Sequence, residues 1–116
     1  MSKSIVTEYE NISAFSGQSS TCIHHLVFGR GKRQLADEDG LWIPLTDNEH
    51  NMSSRGIQYQ IHENPAAEKL SKMLGQMAYE KKWIAEHCHN CEKYSIECAF
   101  KSAREEFRKR YHESYL

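Results

Sequence analysis

No stretch of this chain approaches the roughly 20 apolar residues needed to cross a bilayer, so no membrane partner is expected. The opening run, Met1-Ser2-Lys3-Ser4-Ile5-Val6-Thr7-Glu8-Tyr9-Glu10, lacks the apolar core of a secretion signal. The expected location is therefore the cytoplasm. Net charge is also scarce: the total is -1, which gives no global attraction to nucleic acid. Cysteine is sparse as well, with four residues. In a reducing compartment these serve as thiols or metal ligands rather than disulfides. Internal repeats and low-complexity segments are absent. The 116 residues suffice for one domain and not two, and 39% hydrophobic against 27% charged residues suits a modest core.

What is present sorts into a polar N-terminal segment over 1–20, a histidine-bearing region over 21–63 and a helical part over 64–116, all in one domain. Ser16-Gly17-Gln18-Ser19-Ser20 reads as a loop. Thr21 to Phe28 is rich in apolar and β-branched residues and predicts a strand. Gly29 to Gly40 carries three glycines and many charges and predicts a long turn. Leu41 to Leu45 predicts a second strand, antiparallel to the first. Thr46 with Glu49 three residues on is a capping-box pattern, so a short helix starts there and carries His50. Ser53-Ser54-Arg55-Gly56 breaks it. Asn64-Pro65 starts a longer helix, with Asn as cap and Pro at the first helical position. Ala66, Leu70, Met73, Leu74, Met77 and Ile84 follow at near-helical spacing. A final helix carries Ile96, Phe100, Ala103, Phe107 and Tyr111 on one face. The Met73, Leu74 and Met77 stripe is read as core or as a self-association face.

The chemistry concentrates in Cys22-Ile23-His24-His25-Leu26 and in Leu41 to Asn51. One imidazole can hold a metal, its neighbour can act as a base, and a third can close the site. Neighbouring strand residues point to opposite faces. The pair can thus share a site only where the strand is bulged, twisted or at the edge of a cleft. Two histidine ligands leave positions for water and phosphate oxygens. Imidazole suits zinc, nickel, manganese or cobalt better than magnesium, which is not excluded.

The run His24-His25-Leu26, Ile43-Pro44-Leu45 and His50-Asn51, with Gly56 and His62 downstream, resembles the HNH, or ββα-metal, nuclease family, particularly its small phage-type members. The likeness spans roughly residues 15 to 80. It implies an α+β fold with a ββα-metal core, a β-hairpin plus short helix over 21–63, extended by two C-terminal helices. It implies His24 and His50 as ligands of a divalent metal (Mg, Mn, Zn or Ni). It implies His25 as the general base that deprotonates the attacking water. The implied activity is hydrolysis of phosphodiester bonds in DNA to a 5′-phosphate and a 3′-hydroxyl, in the host cytoplasm if the protein is phage-encoded. His62 and Asn51 are further candidates for contact with the metal or a phosphate.

Two departures from the family pattern stand out. Many relatives carry two CxxC pairs around the hairpin, where this chain has Ser16, Gly17, Thr46 and Glu49, so that structural zinc is expected to be absent. The family often places an Asn at the start of the second strand to orient the base, where this chain has Gly40-Leu41. These departures leave an alternative open. The chain is then a catalytically inactive HNH-fold binding module of a phage or mobile element that binds nucleic acid or inhibits a host defence protein.

Arg30, Lys32 and Arg33 follow the histidine strand and are candidates to clamp phosphates, against an ordinary charged turn. Arg104 to Arg110 mixes signs and reads as a solvated helix face. Cys88 and Cys91 form one CxxC, which Cys98 extends to a candidate structural zinc site. The competing reading is a linker turn whose cysteines are small apolar residues. A zinc-stabilised interaction protein built on these cysteines is the third functional class. Cys22 is read as core packing.

Overall fold

The two strands form as an antiparallel pair, β1 over Cys22–His25 and β2 over Trp42–Leu45, with Cys22 opposite Leu45 and His25 opposite Trp42. The computed structural model describes residues 2–88 and 95–116. Between the strands lies helix α1, Lys32–Asp39, and after β2 comes the short helix α2, Asp47–His50. A 3-10 turn at Ile57–Tyr59 leads to the long helix α3, Pro65–His87, and then to α4, Ile96–Tyr111. The described residues are α+β, and no helix among them is long and apolar enough to cross a membrane.

Gly29 to Gly40 is thus not a turn throughout. It contains α1, bounded by Gly31 and Gly40, both in the left-handed region at φ 76° and 72°. Gly40 must be glycine for a second reason: a Cβ there would meet the Lys3 carbonyl oxygen at 2.3 Å. Its backbone N–H closes α1 by donating to Ala36 and Asp37 carbonyls.

The cap signals act where the residues place them. Thr46 Oγ1 accepts from Glu49 N at 3.3 Å, and Glu49 Oε1 accepts from Thr46 N at 2.9 Å. Ser13 Oγ donates to the same carboxylate oxygen at 2.6 Å. Burial pushes the Glu49 carboxyl up, but the bonds from Ser13 and Thr46 outweigh it and hold the group below its usual range. The polar N-terminal segment therefore braces α2 and the hairpin. Ser4 Oγ donates to the Trp42 carbonyl at 2.7 Å, and Ala14 N donates to the Pro44 carbonyl at 3.0 Å. Asn64 caps α3 by accepting from Ala67 N at 3.2 Å, with Pro65 at its first position.

Two apolar clusters flank the hairpin. Leu26, Ile43, Leu45 and Ile61 form one, with Cys22 packed on its edge. Burial, then the Asp47 carboxylate, pushes the Cys22 thiol up to about 11, so it stays a protonated packing group. Val27, Ala36, Leu41, Phe107, Tyr111 and Tyr115 form the other, which joins α1 and α4. α3 lies against both, and Gly75 marks the closest approach: a Cβ there would meet Val27 Cγ2 at 2.7 Å and Leu26 Cβ at 3.1 Å. The apolar stripe of α3 divides. Met73 packs on the second cluster, whereas Leu70, Leu74 and Met77 are exposed, and so are Ile96 and Phe100 on α4. Helical period locates a face but not which neighbour covers it, and here α4 covers the Tyr79 side instead.

Candidate metal centre

His24, His50 and His62 come together from three segments of chain. One ring nitrogen of each lies within 4.8 Å of a ring nitrogen of the others. The ring centroids are 5.1 Å apart for His24 and His50, 5.1 Å for His24 and His62, and 4.7 Å for His50 and His62. Backbone pairing explains the third member. Ile61 N donates to the Glu49 carbonyl at 2.9 Å and His62 N to the His50 carbonyl at 3.0 Å, so the return segment lies directly beside α2. Gln60 fastens the intervening loop by accepting from Ser53 N at 3.0 Å and donating to the His62 carbonyl at 2.7 Å.

The hydrogen-bond network fixes which nitrogens are free. Ser71 Oγ lies 2.7 Å from His24 Nε2 and donates its own proton to the Leu26 carbonyl at 2.8 Å. The hydroxyl has one proton, so His24 Nε2 must carry the N–H and Nδ1 is left with its lone pair. His62 Nδ1 lies 3.3 Å from Glu68 Oε2. A carboxylate only accepts, so this nitrogen donates and Nε2 is the unprotonated one. His24 Nδ1 and His50 Nε2 are both buried and have no hydrogen-bond partner among the described residues. Leaving such a group unsatisfied costs about 1–3 kcal/mol.

Burial, followed by the neighbouring His50 and His62, pushes His24 down to about 3. Burial, then His62 and Arg33, also holds His50 below its ordinary range. His24 and His50 are therefore neutral at pH 7, the form in which imidazole binds a metal. Each outer contact has the form that orients a metal-binding histidine, a serine on one ring and a carboxylate on another. The residues fit a divalent ion: three converging rings, two buried nitrogens that lack a partner among the described residues, and hydrogen-bond partners on the other nitrogen of His24 and on Nδ1 of His62.

His25 ends β1 at the rim of an adjoining cavity of about 220 Å³, which it lines with Phe28, Gly29, Arg33, His50 and His62. No bulge is needed to bring the pair to one place. His24 points into the core, fully buried, while His25 reaches the cavity from the strand's end. Asp37 Oδ1 accepts from His25 Nε2 at 3.0 Å, which leaves Nδ1 unprotonated in the neutral ring. Asp37 belongs to α1, a helix that the glycine-flanked stretch does not reveal in the sequence.

The remaining candidates separate. Arg33 stands in the cavity wall. Lys32 pairs with Glu113 and donates to Tyr115 Oη at 3.1 Å. Arg30 is exposed beside α1. Asn51 is the exposed C-terminal cap of α2 and is not one of the three residues that converge. Cys88 is half-buried and Cys98 exposed, and Cys91 lies outside the described residues. Set against family models, curated proteins and solved structures, the chain matches none.

Proposed function

We propose that this protein is a metal-dependent endonuclease of the HNH, ββα-metal type, which hydrolyses phosphodiester bonds in DNA. The observation that carries the reading is His25, held by Asp37 at 3.0 Å, in the wall of the cavity that His50 and His62 also line. A base held by a carboxylate stands beside a cluster able to bind a cation. The hairpin, α2 and the three converging histidines serve as the ββα-metal core. His24, His50 and His62 would hold the ion, and three imidazoles without a carboxylate favour zinc or nickel over magnesium.

When bound, the metal supplies positive charge beside the phosphate. His25 Nδ1 takes a proton from water, and the resulting hydroxide adds to phosphorus. The bond from phosphorus to the 3′-oxygen breaks, that oxygen takes a proton from solvent, and a 5′-phosphate remains. Asp37 orients the imidazole and stabilises the cation that His25 becomes. The Arg33 guanidinium, which lines the cavity, binds a non-bridging phosphate oxygen in this reading. Asp37 takes the orienting part that the family often gives to Asn, which supports turnover over an inactive binding module.

The test is nicking of supercoiled plasmid by purified protein with Mn²⁺, Zn²⁺, Ni²⁺ or Mg²⁺ added in turn. The expected result is metal-dependent nicking that His25→Ala abolishes while the circular dichroism spectrum is unchanged. Intact plasmid with every metal overturns the enzyme and leaves the binding module.

A further inference from the structure

Three ammonium groups from two helices gather around one ring. Lys32 of α1 and Lys69 and Lys72 of α3 lie 5.5, 5.7 and 5.6 Å from the centroid of Tyr115. Lys72 also sits 4.6 Å over the ring of Phe28. Phe28 is a wall of the cavity and packs edge-on against His62 at 4.8 Å. Gly29 lines the same cavity, and a Cβ there would lie 3.9 Å from the Lys32 stem. Lys72 and Lys32 thus adjoin the cavity through Phe28 and Gly29, and Arg33 lines it.

Like charges brought this close repel, and the chain as a whole is not basic at net -1. The tail after α4 meets the repulsion with one carboxylate. Glu113 pairs with Lys32 and also feels Lys72 and Lys69. The tail is anchored for this: Tyr115 is buried, and its backbone N–H donates to Gln76 Oε1 at 2.6 Å. Glu68, one turn before Lys72 on α3 and bonded to His62, is a second carboxylate beside the patch, and two carboxylates against three ammoniums still leave it positive.

We propose that Lys32, Lys69 and Lys72 form a track for the phosphodiester backbone of DNA flanking the bond held in the cavity, and that Glu113 occupies this track as a counter-ion in the free protein. This rests on the endonuclease reading above. Tyr115 and Phe28 form an aromatic floor under the ammoniums, and successive phosphates replace the Glu113 carboxylate.

The test is fluorescence anisotropy of a labelled 20-base-pair duplex titrated with protein in EDTA across a salt series, which separates binding from cutting. Lys69→Gln/Lys72→Gln should bind about tenfold more weakly and flatten the slope of log affinity against log salt by about two. Glu113→Gln should bind severalfold more tightly, a gain that a misfolded variant cannot give. Lys81→Gln/Lys82→Gln, farther along α3, should match the wild type. Wild-type affinity and slope in Lys69→Gln/Lys72→Gln, or equal losses in both double variants, overturn the track. The endonuclease reading then stands or falls separately on plasmid nicking with metal. A wild type that neither binds the duplex nor nicks plasmid overturns both.

Discussion

Ser71 on α3 holds His24 on β1 through a 2.7 Å contact while giving its own proton to the Leu26 carbonyl. One hydroxyl thereby ties the long helix to the strand and sets the tautomer of a candidate ligand. Ser71→Ala should lower metal affinity about 10–100-fold, because the His24 ring is freed to rotate and its N–H loses its acceptor. Calorimetric titration with Zn²⁺ measures this, and wild-type affinity would show that the contact only packs.

Asp37 acts on His25 and not on the metal ligands. Asp37→Ala should slow nicking about tenfold to a hundredfold, short of the roughly 10²–10⁴-fold expected for loss of the general base itself. Metal affinity should stay at the wild-type value. The nitrogen-15 shifts of the His25 ring should move from one fixed tautomer to a mixture, which a merely structural role of Asp37 would not produce.

Gly75 lets α3 touch the end of β1. Gly75→Ala places a methyl against Val27 and Leu26, both buried, so the helix must shift outward. The expected cost is about 1–3 kcal/mol, read as a lower urea midpoint. Because Leu26 also anchors Ser71, metal affinity should fall with it. A midpoint equal to wild type would mean that this contact gives way freely.

Metal-free stability should depend on pH through His24. Its folded value of about 3 lies below the ordinary 6.5, so the unfolded chain binds more protons between these limits. Stability is therefore complete above about 6.5 and is lost as pH falls toward 3. His50, held low by burial, adds in the same direction. Comparing urea midpoints at pH 7.5 and 5.5 isolates the histidines, because most carboxylates remain ionised at both. The midpoint should be lower at 5.5, and the fall should shrink in His24→Asn.

Local signals in the sequence located what depends on neighbours along the chain. Thr46 with Glu49, Asn64 with Pro65, and the apolar strands each act within a few residues, and α2, α3 and the hairpin follow from them. The first glycine-bounded stretch misled, because Gly31 and Gly40 mark helix ends by their left-handed φ, whereas glycine count alone suggests a turn. Asp37 was hidden with α1. Ser71 carries no motif, since its partner is 47 residues away. His62 is a candidate in the sequence through its place after Gly56, but the backbone pairing that sets it beside His50 spans a loop and leaves no side-chain pattern.

The roles assigned to His25, Asp37 and Arg33 depend on one cation held by His24, His50 and His62. Titration with Co²⁺, followed by visible absorption, tests that centre most directly. The expected result is one saturating ion per chain, with the bands of a low-symmetry nitrogen site, strongly weakened in His50→Ala and in His62→Ala but kept in His25→Ala. No saturable band, or a band unchanged in His50→Ala and His62→Ala, would contradict the centre.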